Sequence, residues 1–306
     1  MSMDLNDKVE QAKRLIKSVA SMHNVTIAYS GGKDSQVLRW LVKEAGVKCD
    51  LVYNNTTIDP PGTIEWCRKN GARVQRNELS FLDLVEKKGY PTMFRRHCCK
   101  ELKEKYISPY LFIGVRADES VKRSKCYSDF ESIYYYSKEV YTNRFLPLLK
   151  FSTEDIGSLI VDKSIECHPL YYDHEGKFDV RRRLGCIGCP LQSDRGKIDY
   201  LRYPVLLKQV LRRGILFHQR MGRTDYDAAL NLVYNIFYSN HGHKRFSQTY
   251  EGLFDTDPYE ILGEYFFIDR DEVLRLLPTP KFAPSCCKKR RKASTIVKVK
   301  EFKESV

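Results

Sequence analysis

Apolar residues recur at two different spacings along the first 120 residues, and their alternation predicts an α/β architecture. Stretches with a helical period of about 3.6 residues alternate with short β-branched or continuous apolar runs. The predicted strands are 25–27, 48–53, 72–76 and 111–116, and the predicted helices are 8–20, a stretch ending at Gly46, 63–69 and 81–88. Strands that alternate with helices favour a parallel twisted sheet with helices on both faces.

The pattern changes after this region. Residues 117–145 are predicted to be irregular apart from a β segment at Tyr134–Tyr136, and Ser152 is expected to begin a helix with carboxylates in its first turn. Helical spacing at 201–211 and 228–238 predicts a mainly helical C-terminal subdomain. We therefore expect a domain at 1–190, a helical subdomain at 191–280 and a basic tail at 281–306.

The composition of the chain predicts the kind of partner it binds and the cell compartment in which it acts. The 306 residues carry a net charge of +13, which indicates a polyanionic partner, with nucleic acid the first candidate. No apolar run is long enough to cross a bilayer, and the N-terminal residues lack a secretory apolar region, so we expect no membrane partner and a cytoplasmic protein. Ten cysteines in such a protein suggest metal or sulfur chemistry more than a disulfide scaffold.

A glycine-containing stretch, Ser30-Gly31-Gly32-Lys33-Asp34-Ser35, follows the first predicted strand and opens a helix. The glycines let the backbone approach an anion, and the N–H groups and dipole of the first helical turn favour its negative charge. The hydroxyls of Ser30 and Ser35 and the charge of Lys33 add to this phosphate site. The stretch lacks the first glycine of a Walker A loop, and the chain has no Gly-x-Gly-x-x-Gly fingerprint. A glycine turn between two core elements is the structural alternative.

Two cysteine pairs form a second candidate site: Cys98-Cys99 and Cys186-Ile187-Gly188-Cys189. Four thiolates suit Zn or an iron–sulfur cluster. Adjacent ligands are awkward for one tetrahedral zinc ion and less so for a cubane, whose iron corners are spread apart. The alternatives are two unrelated buried pairs or a redox dithiol.

These stretches resemble a known family. Ser-Gly-Gly-Lys-Asp-Ser resembles the PP-loop of ATP pyrophosphatases and sulfonucleotide reductases, which belong to the adenine nucleotide alpha hydrolase-like, Rossmann-like superfamily. The two cysteine motifs are similar to those of phosphoadenosine phosphosulfate (PAPS) reductase family members with a 4Fe-4S cluster, either adenylyl-sulfate reductases or the DNA-phosphorothioation relative. Further matches are Gly114–Ser120 with Arg123, the stretch Phe145–Ile156, and His168-Pro169-Leu170-Tyr171. Gly157 stands where the family usually has tryptophan.

The resemblance implies a set of site residues. Nucleotide binding is expected at Ser30, Gly31, Gly32, Lys33, Asp34, Ser35, Asn55, Thr57, Gly114 and Arg116. Lys33, Asp34 and Arg116 are expected to be catalytic. Lys103, Ser120 and Arg123 are expected to contact substrate. Cys98, Cys99, Cys186 and Cys189 are the expected 4Fe-4S ligands, with ATP (or adenylyl sulfate or PAPS) and Mg²⁺ as the other cofactors.

Three functions follow as hypotheses. The first is an ATP pyrophosphatase that adenylates an acceptor, expected to be nucleic acid because of the charge, and then transfers sulfur from a donor such as a cysteine desulfurase. The second is a sulfonucleotide reductase. The chain lacks that class's C-terminal Glu-Cys-Gly-x-His segment and has only Cys286-Cys287 in a basic tail. The third is a non-catalytic nucleic-acid or partner-binding module.

Basic and aromatic residues near the second cysteine pair are the candidates for contact with nucleic acid. Arginines would neutralise phosphates, and tyrosines could stack on bases or serve only as packing residues. The residues are Arg181, Arg182, Arg183, Arg195, Arg212, Arg213, Tyr200, Tyr203, Tyr226 and Tyr234.

Overall fold

The structure is a computed structural model that describes residues 3–92, 94–192, 197–223, 269 and 271. It divides the chain into two compact units. The first comprises residues up to Phe81 together with Arg96–Cys189, and the second comprises Leu82–Arg95 and residues from Pro190 onward. The predicted helix at 228–238 and the basic tail at 281–306 lie outside the described residues.

A six-stranded sheet organises the first unit. Its strands are β1 (Thr26–Ala28), β2 (Asp50–Asn54), β3 (Arg73–Gln75), β4 (Tyr110–Ile113), β5 (Glu131–Tyr135) and β6 (Tyr141–Phe145). They lie in the order β3-β2-β1-β4-β6-β5. All neighbouring strands are parallel except β5, which pairs antiparallel with β6 at one edge. The predicted α/β fold with a mostly parallel sheet is therefore confirmed.

Helices connect these strands. The first unit contains α1 (Leu5–Met22), α2 (Lys33–Glu44), α3 (Thr63–Lys69), α5 (Val121–Cys126) and α6 (Thr153–Asp162). Helix α4 (Phe81–Lys88) belongs to the second unit beyond its first residue, and α7 (Lys197–Arg202) and α8 (Pro204–Arg220) follow in that unit. No helix among the described residues is both long and apolar enough to cross a membrane.

The core of the first unit fixes the start of α2. Helix α2 packs against α1 and α6, and its Val37, Leu38 and Leu41 are fully buried. Helix α6 begins with a capping box in which Ser152 and Asp155 each bond the other's backbone N–H. Apolar burial and satisfied helix ends thus hold the first turn of α2 in place against the sheet.

The β segment predicted at Tyr134–Tyr136 overlaps strand β5, but the prediction that the rest of 117–145 is irregular was wrong. These residues form a short 3₁₀ turn at Ala117–Glu119, helix α5, and the strands β5 and β6. Strand β5 alternates between exposed and half-buried residues at the sheet edge, so it has no apolar run to reveal it. The neighbouring strand β6 supplies side-chain contacts to β5, as where the Arg144 guanidinium lies 3.6 Å from the Tyr134 ring centre.

The predicted helix at 201–211 is two helices. Helix α7 ends at Arg202, Tyr203 has a non-helical backbone (φ −125°, ψ 64°), and Pro204 is the first residue of α8. Proline is favoured at this position because it has no N–H to leave unpaired, and it disfavours helix in the preceding residue. Within the same unit Glu86 pairs with Arg213 and Arg220, and the hydroxyls of Tyr90 and Tyr200 lie 3.2 Å apart.

Candidate active site

The glycine-containing loop lies where the order of the sheet reverses. The chain runs from β1 outward through β2 and β3, and then returns to place β4 on the other side of β1. The loop 30–35 follows β1, and Gly114 follows β4, so both lie at the carboxyl ends of adjacent parallel strands. Ligands of open α/β sheets bind in the crevice at such a switch point.

The loop itself is tightly packed. Gly31 has φ +73°, and a Cβ there would lie 3.0 Å from the Cys67 sulfur and 3.1 Å from the Trp66 ring. Gly32 is the N-cap residue of α2 and has no side chain of its own to cap the helix. The Ser35 hydroxyl donates to the Gly32 carbonyl at 2.8 Å. This turn therefore requires glycine at 31, and the N-cap residue of α2 supplies no side-chain oxygen of its own.

An ion-pair network lies directly behind the loop. Arg116 is only 2% exposed, and its Nε donates to Asp34 Oδ1 at 2.6 Å. The other Asp34 oxygen lies 3.7 Å from the Lys33 ammonium, which is also buried. Arg116 further contacts Asp118 and the Thr153 hydroxyl, each at 3.2 Å. Asp34 thus orients two cations, because each of its oxygens faces one of them.

Two more arginines, Arg123 and Arg183, interact electrostatically with the residues of this ion-pair network. Burial lowers the pKa of Lys33, Asp34 opposes this, and the charges of Arg116 and Arg183 lower it further. Burial also lowers the pKa of Arg123, and Arg183 again contributes. Lys33, Arg116, Arg123 and Arg183 thus interact electrostatically, and Asp34 is the carboxylate that counters both the Lys33 and the Arg123 shift.

Gly114 has a packing role that the sequence did not reveal. A Cβ at this position would lie 3.2 Å from the backbone carbon and oxygen of Asp34. Glycine here lets the end of β4 approach the first turn of α2.

Ser120, predicted to contact substrate, caps α5 by accepting the Arg123 N–H, and Arg123 pairs with Glu119.

The end of β2 is tied to the segment that follows the first cysteine pair. The Asn54 amide donates to the carbonyls of Lys103 and Lys105 at 3.0 and 3.1 Å. Asn55 accepts the N–H of Thr57, which has φ +62°, a conformation rare for a β-branched residue. Asn55 and Thr57, predicted to bind nucleotide, are thus used to shape this turn.

The segments that carry the two cysteine pairs are both hydrogen-bonded to the end of β2 and the turn that follows it. Cys98 precedes a π-helix at Cys99–Lys103, a rare form that often marks functional sites. The Arg96 guanidinium lies 3.5 Å from the Cys99 sulfur, and the Cys186 sulfur lies 3.7 Å from the Thr56 hydroxyl. The Ile187 N–H donates to the Ile58 carbonyl at 2.8 Å, which anchors the second pair beside β2.

Electrostatic effects connect the four thiols. A hydrogen bond with Cys99 raises the pKa of Cys98, burial raises it too, and the charges of Cys99, Cys186 and Cys189 add to this. The same bond lowers the pKa of Cys99 to about 6, aided by Arg96 and Lys103. Burial raises the pKa of Cys186 to about 12. Within the described part of the chain, no three Cys, His, Asp or Glu side chains are placed to hold a single metal ion.

Two residues of this region were not predicted as part of the nucleotide site. Tyr171 accepts the Lys33 N–H at 3.1 Å, and its ring centre lies 5.5 Å from the Lys33 ammonium. Arg183 was assigned only to nucleic acid. The signal for Tyr171 was its place in the His168–Tyr171 stretch, which by itself does not reveal the partner.

A parallel α/β sheet with a glycine turn, a helix N-terminus and converging cations at its switch point defines a protein of the phosphate- and nucleotide-binding class. Residues 24–192, more than half of the chain, match the phosphoadenosine phosphosulfate reductase domain. The chain belongs to this family, which supports a nucleotide-binding, enzyme-like function.

Two similar proteins were compared. An uncharacterized protein of Methanocaldococcus jannaschii, MJ0973, is 25% identical over 238 residues, which is 71% of this chain and 55% of that protein. The chain thus spans about half the length of this relative. The crystal structure of phosphoadenylyl-sulfate reductase from Candida auris, a phosphate complex, matches with a TM-score of 0.42 and 11% identity, covering 61% of this chain and 97% of that chain.

Proposed function

We propose that this chain is a PP-loop ATP pyrophosphatase that binds ATP at residues 30–35 and activates an acceptor for sulfur transfer. The observation that carries the proposal is the group of cations at the first turn of α2. Lys33 and Arg116 are buried there, and Arg183 acts on both Lys33 and Arg123. Asp34 lies between the two buried cations, and Asp118, the other carboxylate that pairs with Arg116, is half exposed, so an anion that binds there would compensate the remaining positive charge. The triphosphate of ATP is such an anion.

The residues of the loop have distinct roles in this reaction. An acceptor oxygen attacks the α-phosphorus, the bond from that phosphorus to the bridging oxygen breaks, and pyrophosphate leaves. Lys33 stabilises the charge that develops on the leaving pyrophosphate. Asp34 holds Lys33 and Arg116 in position, so it would influence a Mg²⁺ ion bound with ATP only indirectly. A sulfur nucleophile then displaces AMP from the acceptor.

The four cysteines of the two pairs suit an iron–sulfur group because of the chemistry of their donor atoms. All four side chains are thiols, they influence one another's pKa, and Arg96 and Lys103 supply nearby positive charge. A single ion needs its ligands to converge on one point, whereas a 4Fe-4S cluster takes one thiolate at each of four separated corners. We propose that Cys98, Cys99, Cys186 and Cys189 hold this cluster, which would supply a site that accepts or presents sulfur.

The acceptor proposed is a nucleic acid, and the sulfur donor is an enzyme such as a cysteine desulfurase. The net charge of +13 supports a polyanionic acceptor. Arg181 and Arg183 are exposed in the stretch that leads to Cys186, so they are available to phosphates. Arg182 donates to the Tyr172 carbonyl at 2.6 Å and is engaged within the fold.

Pyrophosphate release from ATP tests the activity directly. The assay is run with and without DNA or tRNA, and stimulation by one of them identifies the acceptor class. Lys33→Ala is expected to lower the rate at least about 100-fold, because it removes a charge that faces the leaving group. Lys43→Ala, in the last turn of the same helix, is the matched control and should retain full rate. Equal activity of the two variants would contradict the proposal.

Metal analysis tests the cluster. Protein purified without oxygen is expected to be brown and to contain about four iron and four sulfide per chain. Cys186→Ser should lose most of both, whereas Cys126→Ser should lose neither, because Cys126 is an exposed thiol of α5. A colourless protein with stoichiometric zinc would refute the cluster and leave nucleotide binding untouched.

The family match favours a second candidate, a sulfonucleotide reductase. Such an enzyme would bind adenylyl sulfate or PAPS at the same loop and release sulfite with electrons from a thiol. Sulfite release from either sulfonucleotide in the presence of reduced thioredoxin, without pyrophosphate release from ATP, would favour this alternative. Salt-sensitive nucleic-acid binding with neither activity would instead indicate a non-catalytic module.

A further inference from the structure

One phenol oxygen joins two segments that the proposed function treats separately. Tyr171 is 2% exposed, and its oxygen accepts the N–H of Lys33 at 3.1 Å and the N–H of Leu184 at 3.2 Å. Lys33 is the first residue of α2, and Leu184 lies two residues before Cys186. A single oxygen atom therefore binds two N–H groups that are 151 residues apart in the sequence.

The Tyr171 oxygen and the Leu184 side chain both lie close to the glycines of the loop. A Cβ on Gly32 would lie 3.3 Å from the oxygen, and a Cβ on Gly31 would lie 3.6 Å from a Leu184 methyl carbon. The Leu184 side chain thus packs on the loop while its N–H bonds the phenol. A phenol oxygen accepts two hydrogen bonds and donates one. With the two N–H groups as donors, the hydroxyl proton remains available to an acceptor.

We propose that Tyr171 is a positioning residue that couples the nucleotide loop to the Cys186–Cys189 segment. The proposal rests on the proposed function, in that it takes the loop as the anion site. A phosphate at the start of α2 would compete for the Lys33 N–H and would accept a hydrogen bond from the Tyr171 hydroxyl. A hydroxyl that donates becomes a better acceptor, so the bond from Leu184 tightens when the loop is occupied.

Hydrogen–deuterium exchange on the full chain measures both bonds. Without nucleotide, Tyr171→Phe is expected to speed exchange about fivefold in the peptides that contain Lys33 and Leu184, which corresponds to about 1 kcal/mol per hydrogen bond. The ring stays, with its contacts to Lys33 and Phe178. Tyr172→Phe is the matched control, because the Tyr172 hydroxyl accepts the Cys167 N–H at 3.3 Å instead. Peptides of α1 report any general loss of stability.

Faster exchange in both peptides with Tyr171→Phe, and in neither with Tyr172→Phe, would support the proposal. Acceleration in only one peptide, in neither, or equally in the control would overturn it. In a second arm, ATP with Mg²⁺ should slow exchange at Leu184 in the wild type and only at the loop in Tyr171→Phe. The same slowing at Leu184 in both proteins would also overturn the coupling. If equilibrium dialysis detects no ATP binding to the wild type, the proposed function fails, whereas the nucleotide-free arm still decides the role of Tyr171.

Discussion

Replacing Asp34 by Asn tests whether the ion pair behind the loop is a structural anchor. The substitution keeps the shape of the side chain and removes its charge. Asp34 Oδ1 lies 2.6 Å from Arg116 Nε, and the two side chains are 17% and 3% exposed. The variant leaves the Arg116 guanidinium buried with Asp118 as its remaining carboxylate, at 3.2 Å and half exposed.

The magnitude follows from burial. Removing one partner of a buried pair costs about 3–5 kcal/mol, because the other charge is left uncompensated. The remaining contact with Asp118 offsets part of this, so we expect Asp34→Asn to lower the free energy of unfolding by about 2–3 kcal/mol. The chain offers a matched control in Glu166→Gln. Glu166 also lies 2.6 Å from its partner Lys69, but both side chains are more than 60% exposed. An exposed pair contributes about 0–1 kcal/mol.

Urea unfolding followed by tryptophan fluorescence measures the difference. The chain has two tryptophans, Trp40 and Trp66, and both belong to the first unit, so the signal reports on the unit that contains the pair. Adding Arg116→Met to Asp34→Asn should recover part of the loss, because it removes the unpaired charge. Equal and small costs for Asp34→Asn and Glu166→Gln would refute the reasoning, since distance and not burial would then set the contribution.

Two further predictions concern the same unit. Gly31→Ala should destabilise it by about 1–3 kcal/mol more than Gly46→Ala in the same urea assay, because both glycines have φ near +70° but only Gly31 faces close neighbours; equal costs would show that packing is not the cause. Burial raises the pKa of Asp155, but hydrogen bonds from Lys8 and Ser152 outweigh it, so the net pKa lies below 3.8. Its contribution is therefore present above about pH 4 and lost as pH falls through the lowered pKa. Asp155→Asn should flatten the decline of stability below about pH 4, a slope that would stay unchanged if the carboxylate contributed nothing.

Local patterns in the sequence were sufficient for much of the fold. The alternation of strands and helices up to β4 was predictable because each element has its own period and its own start and stop residues. The capping sequence at Ser152–Asp155 and the glycine turn at 31–32 are equally local, since they satisfy backbone groups of adjacent residues. The chemistry of the loop could be inferred for the same reason.

Tertiary structure alone decided which side chains the loop meets. Asp34 and Arg116 are 82 residues apart, Thr56 and Cys186 are 130 apart, and Lys33 and Tyr171 are 138 apart. Nothing in the period or composition around Tyr171 indicates its partner, because a hydrogen bond between distant segments depends on how the sheet and helices pack. Strand β5 follows the same logic, since pairing with β6 stabilises it more than any apolar run of its own. The sequence thus determined the elements and the reactive groups, whereas packing determined how those groups are paired.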